Sequence, residues 1–155
     1  MGCDIHVFAE RKIGSEYEPV QIDLSQLEHR SYGKFGFLTG TVRNYSAVPP
    51  ISLPRGLPAD VSSVIRSEYE RWGLDSHTPS WLSVQELLAF DYDAPMEDRR
   101  VTVQIAPQHF DGGGTCQIGM GQKTTYREFL GAYFFRELQE LKDAGVDRIV
   151  FWFDS

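Results

Sequence analysis

Apolar and polar residues alternate from residue 3 to residue 10, with Ile5 and Val7 set between Asp4, His6 and Phe8, and this period of two predicts a half-buried strand. Lys12-Ile13-Gly14-Ser15 reads as a hairpin connection. Tyr17 to Ile22 is the returning strand, with Pro19 placing it at an edge or a bulge. From Tyr32 to Val42 the spacing of Phe35, Leu38 and Val42 is helical, although Gly33, Gly36 and Gly40 each weaken a helix by up to about 1 kcal/mol relative to Ala. Residues 43 to 58 carry Pro49, Pro50, Pro54, Gly56 and Pro58 and predict a long loop of the kind that more often serves function than packing. After Asp60 a helix follows, with Val61, Val64, Ile65, Tyr69 and Trp72 on its apolar face and Gly73 as its stop.

Leu74 to Leu82 reads as a second loop, and Ser83-Val84-Gln85-Glu86 as a capping box that opens a short helix through Phe90. Residues 91–100 are acidic and turn-like, residues 101–105 favour a strand, and Asp111-Gly112-Gly113-Gly114-Thr115 is a flexible loop. Thr125-Tyr126-Arg127-Glu128 is another capping box, predicting one long helix to Ala144, with Phe129, Ala132, Tyr133, Leu138 and Leu141 inward and Gly145 at its end. Arg148 to Asp154 is nearly continuous apolar sequence and predicts a central strand. The fold class expected is α+β: a single domain over residues 1–155, with a small, mainly antiparallel sheet made of the N-terminal hairpin, residues 101–105 and the C-terminal strand. Three to four helices should pack largely on one side of it.

Composition narrows the function classes. The chain has 155 residues, 41% of them hydrophobic and 24% charged, which suits one globular core. Lys and Arg number 15 against 22 Asp and Glu, and the net charge of −7 repels duplex nucleic acid and anionic membranes while leaving room for a local basic pocket. Two cysteines, Cys3 and Cys116, make no disulfide framework, and no stretch approaches the roughly 20 apolar residues of a membrane span, so a cytoplasmic protein is expected.

Several residues offer chemistry. Asp4 and His6 sit at alternate strand positions and share a face, so they suit an oriented acid–base pair or, with His77, part of a ligand set. No third ligand stands at metal-site spacing, and the simpler reading is a mutual hydrogen bond between Asp4 and His6. Arg43, Asn44 and Tyr45, and Arg55 with Gly56, place two guanidinium forks in the proline-rich loop, Arg55 being the better anion grip; pairing with nearby acids is the plainer role. Trp81 and Tyr45 offer rings for stacking a base or sugar, worth roughly 1–3 kcal/mol per base, although core packing serves Trp81 equally well. His29 and His109 lie in polar contexts and read as solvated. Cys3 stands beside Asp4, which disfavours a thiolate nucleophile. No nucleophile elbow, Walker loop or dinucleotide fingerprint is present in the sequence, and no cofactor or metal is expected.

The strings MGCDIH, FGFLTGTVRNY, PRGLPADVS, WGLDSHTPSWLSVQEL and RIVFWFDS together resemble a family of small phage and prophage proteins, over most of the chain. The residues matching its pattern are Asp4, His6, Arg43, Asn44, Arg55, Gly56, His77, Ser80, Trp81 and Asp154, a polar and aromatic mixture that suits a ligand pocket. The resemblance carries over no catalytic mechanism. A phage setting implies a role like that of anti-defence proteins that sequester nucleotide immune signals, of the cyclic oligonucleotide or cyclic ADP-ribose type. In such a sponge Arg43 and Arg55 would hold phosphate, Trp81 or Tyr45 would stack a base, and Asp4, His6 and His77 would bond the ribose or base edge. Homo-oligomers are common among such sponges. The alternatives are a hydrolase or phosphodiesterase on the same ligand, with or without metal, using His6 and His77 as base and acid and Arg55 against developing charge, and a protein-binding inhibitor of a host factor.

Overall fold

A computed structural model of the chain describes residues 2–102 and 116–155. The loop expected at Asp111–Thr115, His109 and the end of the strand expected over residues 101–105 lie outside the described residues. Within them the chain is α+β and falls into two compact units, each assembled from separated segments. The first unit takes Met1–Arg30, Pro54–Ala89 and Tyr133–Ser155; the second takes Ser31–Leu53 and Phe90–Ala132.

The first unit is built on a four-stranded antiparallel sheet. Its strands are β1 (Asp4–Ile13), β2 (Glu16–Val20), β3 (Ser76–Ser83) and β6 (Arg148–Asp154), in the order β2-β1-β6-β3. The hairpin follows the expected pattern, and Gly14 supplies the positive φ of 62° that its turn requires. β6 is central, as its unbroken apolar run predicts. Val150 and Trp152 are buried on one face and Ile149, Phe151 and Phe153 on the other. Both faces of this strand are therefore covered.

The third partner in the sheet is a correction. β3 occupies a stretch that reads as a loop, and it carries Pro79, which lacks a donor, and Thr78, which takes a positive φ of 53°. Both fall in a register shift between His77 and Ser80, on an edge strand where a lost ladder bond is tolerated. The segment at residues 101–105 does not join this sheet within the described residues: β4 (Pro95–Thr102) starts in the acidic run and pairs with β5 (Gly121–Thr125).

Helix α3 (Ser63–Trp72) lays Ile65 into a cluster with Val61, Val150 and Trp152, with Phe8, Tyr69, Trp72 and Trp81 packed against it. Val64, expected inward, is exposed. A turn of 3₁₀ helix over Gly73–Asp75 leads from α3 into β3. Two short helices, α1 (Ser25–Glu28) and α4 (Val84–Ala89), contact β1 and β3 respectively. The single long helix expected up to Ala144 is two: Gly131, at φ 84° and ψ 161°, separates α5 (Tyr126–Leu130) from α6 (Ala132–Asp143). On α6, Leu138 and Leu141 are buried as expected, whereas Tyr133 is exposed.

The second unit holds α2 (Tyr32–Thr39), the loop to Leu53, the β4–β5 pair and α5. α2 stops three residues earlier than its apolar spacing predicts because Gly40 takes the left-handed cap at φ 74°. Phe37 of α2 packs against Phe90, Tyr92 and Tyr126, with ring centroids 5.2–5.9 Å apart. Burial pushes the Tyr92 hydroxyl far above its usual range, so it stays protonated. Among the described residues no helix is long and apolar enough to cross a membrane.

Candidate functional site

The register of the sheet brings three chain segments to one corner. Asp4 stands opposite Asp154, His6 opposite Trp152, and Ser76 opposite Asp154 on its other side. Directly opposed residues share a face, so Asp4, His6 and Asp154 lie together on the face that carries α3. His6 Nε2 lies 2.5 Å from Asp154 Oδ2, and the two side chains are 24% and 25% exposed. The ring of Trp72, at the end of α3, sits 4.3 Å from the imidazole between centroids. His6 Nδ1 has no hydrogen-bond partner among the described residues, so the Asp154 bond fixes the ring and leaves one nitrogen over. Trp152 is fully buried, and its indole N–H is without a partner among the described residues.

Asp4 does not bond His6. It takes the Arg30 guanidinium at 2.8 Å, in a pair that is half exposed on both sides. Arg30 and Trp72 belong to this corner and were missed by sequence reasoning. Arg30 has no motif around it, and Trp72 reads as one more position on the apolar face of α3.

His77 is on the opposite face. It pairs in register with Phe153, stacks on that ring at 6.1 Å, and has both nitrogens engaged, Nδ1 with Thr78 Oγ1 at 3.0 Å and Nε2 with Ser155 Oγ at 2.9 Å. The sheet therefore separates His77 from His6. Ser80 shares the His77 face and accepts from Arg55 N–H at 3.0 Å.

Arg55, Gly56, Ser80 and Trp81 form a second, internally satisfied group. The Arg55 guanidinium donates to both carboxylate oxygens of Glu86, at 2.8 and 2.5 Å, and to the Trp81 carbonyl at 3.2 Å, and it lies 4.7 Å over the Trp81 ring. Glu86 is thereby held below the usual carboxylate range, and the Arg55 pKa is raised by the same bond. Gly56, at φ 83°, donates its N–H to Pro79. Glu86 also closes the capping box with Ser83, so one carboxylate serves the α4 start and the arginine together.

The remaining expected residues, Arg43, Asn44 and Tyr45, belong to the second unit. Asn44 is a bracket for its own loop: its amide donates to Gly40 and Val48 carbonyls and accepts from Val48 N–H. Arg43 takes a positive φ of 48° and lies 5.5 Å over the Tyr32 ring, and Tyr45 is exposed. Among the described residues no three His, Cys, Asp or Glu side chains come together in a group able to hold a metal ion. Three open cavities, of about 270, 340 and 510 Å³, are lined by residues outside the expected set. Compared with family models, with curated proteins and with solved structures, the chain matches none of them.

Proposed function

We propose that the protein binds a small nucleotide-type ligand, of the cyclic oligonucleotide or cyclic ADP-ribose kind, and holds it without converting it, in the manner of a phage sponge. The observation that supports this reading is the corner where His6, fixed by Asp154, lies against Trp72 beside the Asp4–Arg30 pair. It offers aromatic surface for a base, an imidazole nitrogen and carboxylates for hydroxyl or base edges, and a guanidinium for phosphate. An exposed ion pair is worth only about 0–1 kcal/mol, so Arg30 exchanges Asp4 for phosphate at little cost. Arg55 is the poorer phosphate group of the two, because its pair with Glu86 is bidentate and stacked on Trp81. Arg43 and Tyr45 form a separate guanidinium-and-ring pair in the second unit.

The second reading is acid–base catalysis on the same ligand class, and the orientation of the His6 imidazole by the Asp154 carboxylate is what favours it. Against it, the second acid assigned to His77 stands across the sheet with both nitrogens engaged. The experiment is to incubate the purified protein with a panel of cyclic dinucleotides, cyclic trinucleotides and cyclic ADP-ribose isomers, record the shift in melting temperature, then denature it and identify the released compound by mass spectrometry. A sponge returns the compound intact, and Arg30→Ala and His6→Ala each weaken binding by about tenfold or more, equivalent to 1.4 kcal/mol. A converted product establishes the enzyme, and no shift across the panel removes the nucleotide reading.

A further inference from the structure

Asp154 fixes more than the position of the His6 ring. An ionised carboxylate only accepts, so the hydrogen between the two side chains is on Nε2, and in the neutral imidazole Nδ1 is then an acceptor. Nδ1 has no partner among the described residues, and the His6 side chain is 24% exposed. This nitrogen is open to a ligand: the unpartnered side-chain atoms sealed from solvent are Arg11 Nε, Ser62 Oγ, Arg148 Nη2 and Trp152 Nε1. The Trp152 indole N–H is thus out of a ligand's reach, whereas His6 Nδ1 is not.

The atoms left over beside it are acceptors as well. Arg30 bonds Asp4 through Oδ1, with Nε at 2.9 Å and Nη2 at 2.8 Å, and Asp4 Oδ2 has no partner among the described residues. Asp154 gives Oδ2 to His6 and keeps Oδ1. The Asp4 side chain is half exposed and that of Asp154 a quarter. The guanidinium of Arg30 is the phosphate group of the proposed complex, so the base meets a lining of lone pairs.

The purines differ in what they bring to such a lining. Guanine carries two adjacent donors on one edge, N1–H and the N2 amino group. The adenine amino group is flanked by the N1 lone pair on one side and the N7 lone pair on the other, so either edge brings an acceptor against acceptors. Hypoxanthine keeps the N1–H of guanine and lacks the amino group. A site whose polar groups are left unmatched discriminates more sharply than one that only lacks contact area.

We infer, resting on the nucleotide reading above, that the base held at this corner is guanine. It lies against Trp72 and gives one donor of its N1–H and N2 amino edge to His6 Nδ1 and the other to a free carboxylate oxygen of Asp4 or Asp154. The ligand is then a cyclic oligonucleotide that contains guanine, and cyclic ADP-ribose isomers, whose base is adenine, are poor ligands.

The test is calorimetric titration of the intact protein with the cyclic dinucleotides of guanine, hypoxanthine and adenine. The guanine compound binds tightest, the hypoxanthine compound about tenfold more weakly, and the adenine compound more weakly still. His6→Phe keeps a ring against Trp72 and removes Nδ1, and it brings the guanine and adenine affinities to within about threefold of each other. That preference is a ratio taken on one protein, so a variant that binds both compounds less through a disturbed fold does not imitate its loss. The comparison of guanine with hypoxanthine needs no variant. Adenine bound as tightly as guanine, hypoxanthine bound as tightly as guanine, or a preference unchanged in His6→Phe overturns the assignment of the base and leaves nucleotide binding standing. Binding of cyclic ADP-ribose isomers alone does the same. No heat from any of these compounds up to about 1 mM overturns the nucleotide reading and this inference together.

Discussion

Replacing Glu10 by glutamine keeps the side-chain shape and removes one negative charge from a place that solvent does not reach. Glu10 carries two hydrogen bonds, from Arg148 Nε at 2.7 Å and from Ser62 N–H at 2.8 Å, and the glutamine amide supplies one acceptor where there were two. Arg148 then keeps only Asp60, whose side chain is 61% exposed and a weak counter-charge. Removing one partner of a buried pair typically costs about 3–5 kcal/mol, since the other charge stays buried uncompensated. The residual Asp60 bond puts Glu10→Gln at the lower end, about 3 kcal/mol, a fall in melting temperature of about 6–12 °C for a chain of this size. Urea unfolding followed by tryptophan fluorescence measures it. The double variant Glu10→Leu with Arg148→Met removes both charges and recovers at least about half of the loss, with a coupling energy above about 1.5 kcal/mol. The reasoning fails if Glu10→Gln costs less than about 1 kcal/mol, or if the separate losses of Glu10→Leu and Arg148→Met simply add in the double variant.

Two further outcomes are expected. Gly131 stands at φ 84° and ψ 161°, a region nearly closed to residues with a Cβ, so Gly131→Ala costs about 1–3 kcal/mol by thermal unfolding even though nothing crowds the position. Glu86 is depressed in the folded chain by its bond to Arg55, so the stability it contributes is complete above the ordinary carboxylate pKa of about 4.3 and is lost as the pH falls through the lower folded value. Glu86→Gln therefore lowers the melting temperature at neutral pH and flattens its fall on the acid side. Parallel curves for the two proteins between about pH 6 and pH 3 refute this.

Elements whose pattern is local were legible from the residues. The β1–β2 hairpin, the amphipathic α3 and the wholly apolar β6 all follow from periodicity and turn chemistry. β3 was not, because Pro79 breaks the strand signal, at a bulge that an edge position tolerates. Nor was the division into two units, since the segments of each are interleaved in sequence and no linker marks a boundary. Within the site, alternation placed Asp4 and His6 on one face, and Asp154 was expected among the ligand residues. Their partners were hidden, because the His6–Asp154 bond spans 148 positions and the Asp4–Arg30 bond 26. His77 fell on the wrong face because its face depends on the register of a strand that reads as a loop. Glu10, Ser62 and Arg148 gave no signal, because a buried charge in a strand is recognised only once its partner is known.

The central place of β6 bears on the order in which the molecule is made. β1 and β3 each need β6 as a neighbour, and residues 148–154 leave the ribosome after every segment of the second unit has been synthesised. The second unit can collapse on its own residues while the strands of the first wait as an unpaired hairpin and an isolated edge. Assembly of the first sheet is then a late, long-range closure, slow by topology, and until it happens the apolar face of β1 is open to chaperones and to aggregation.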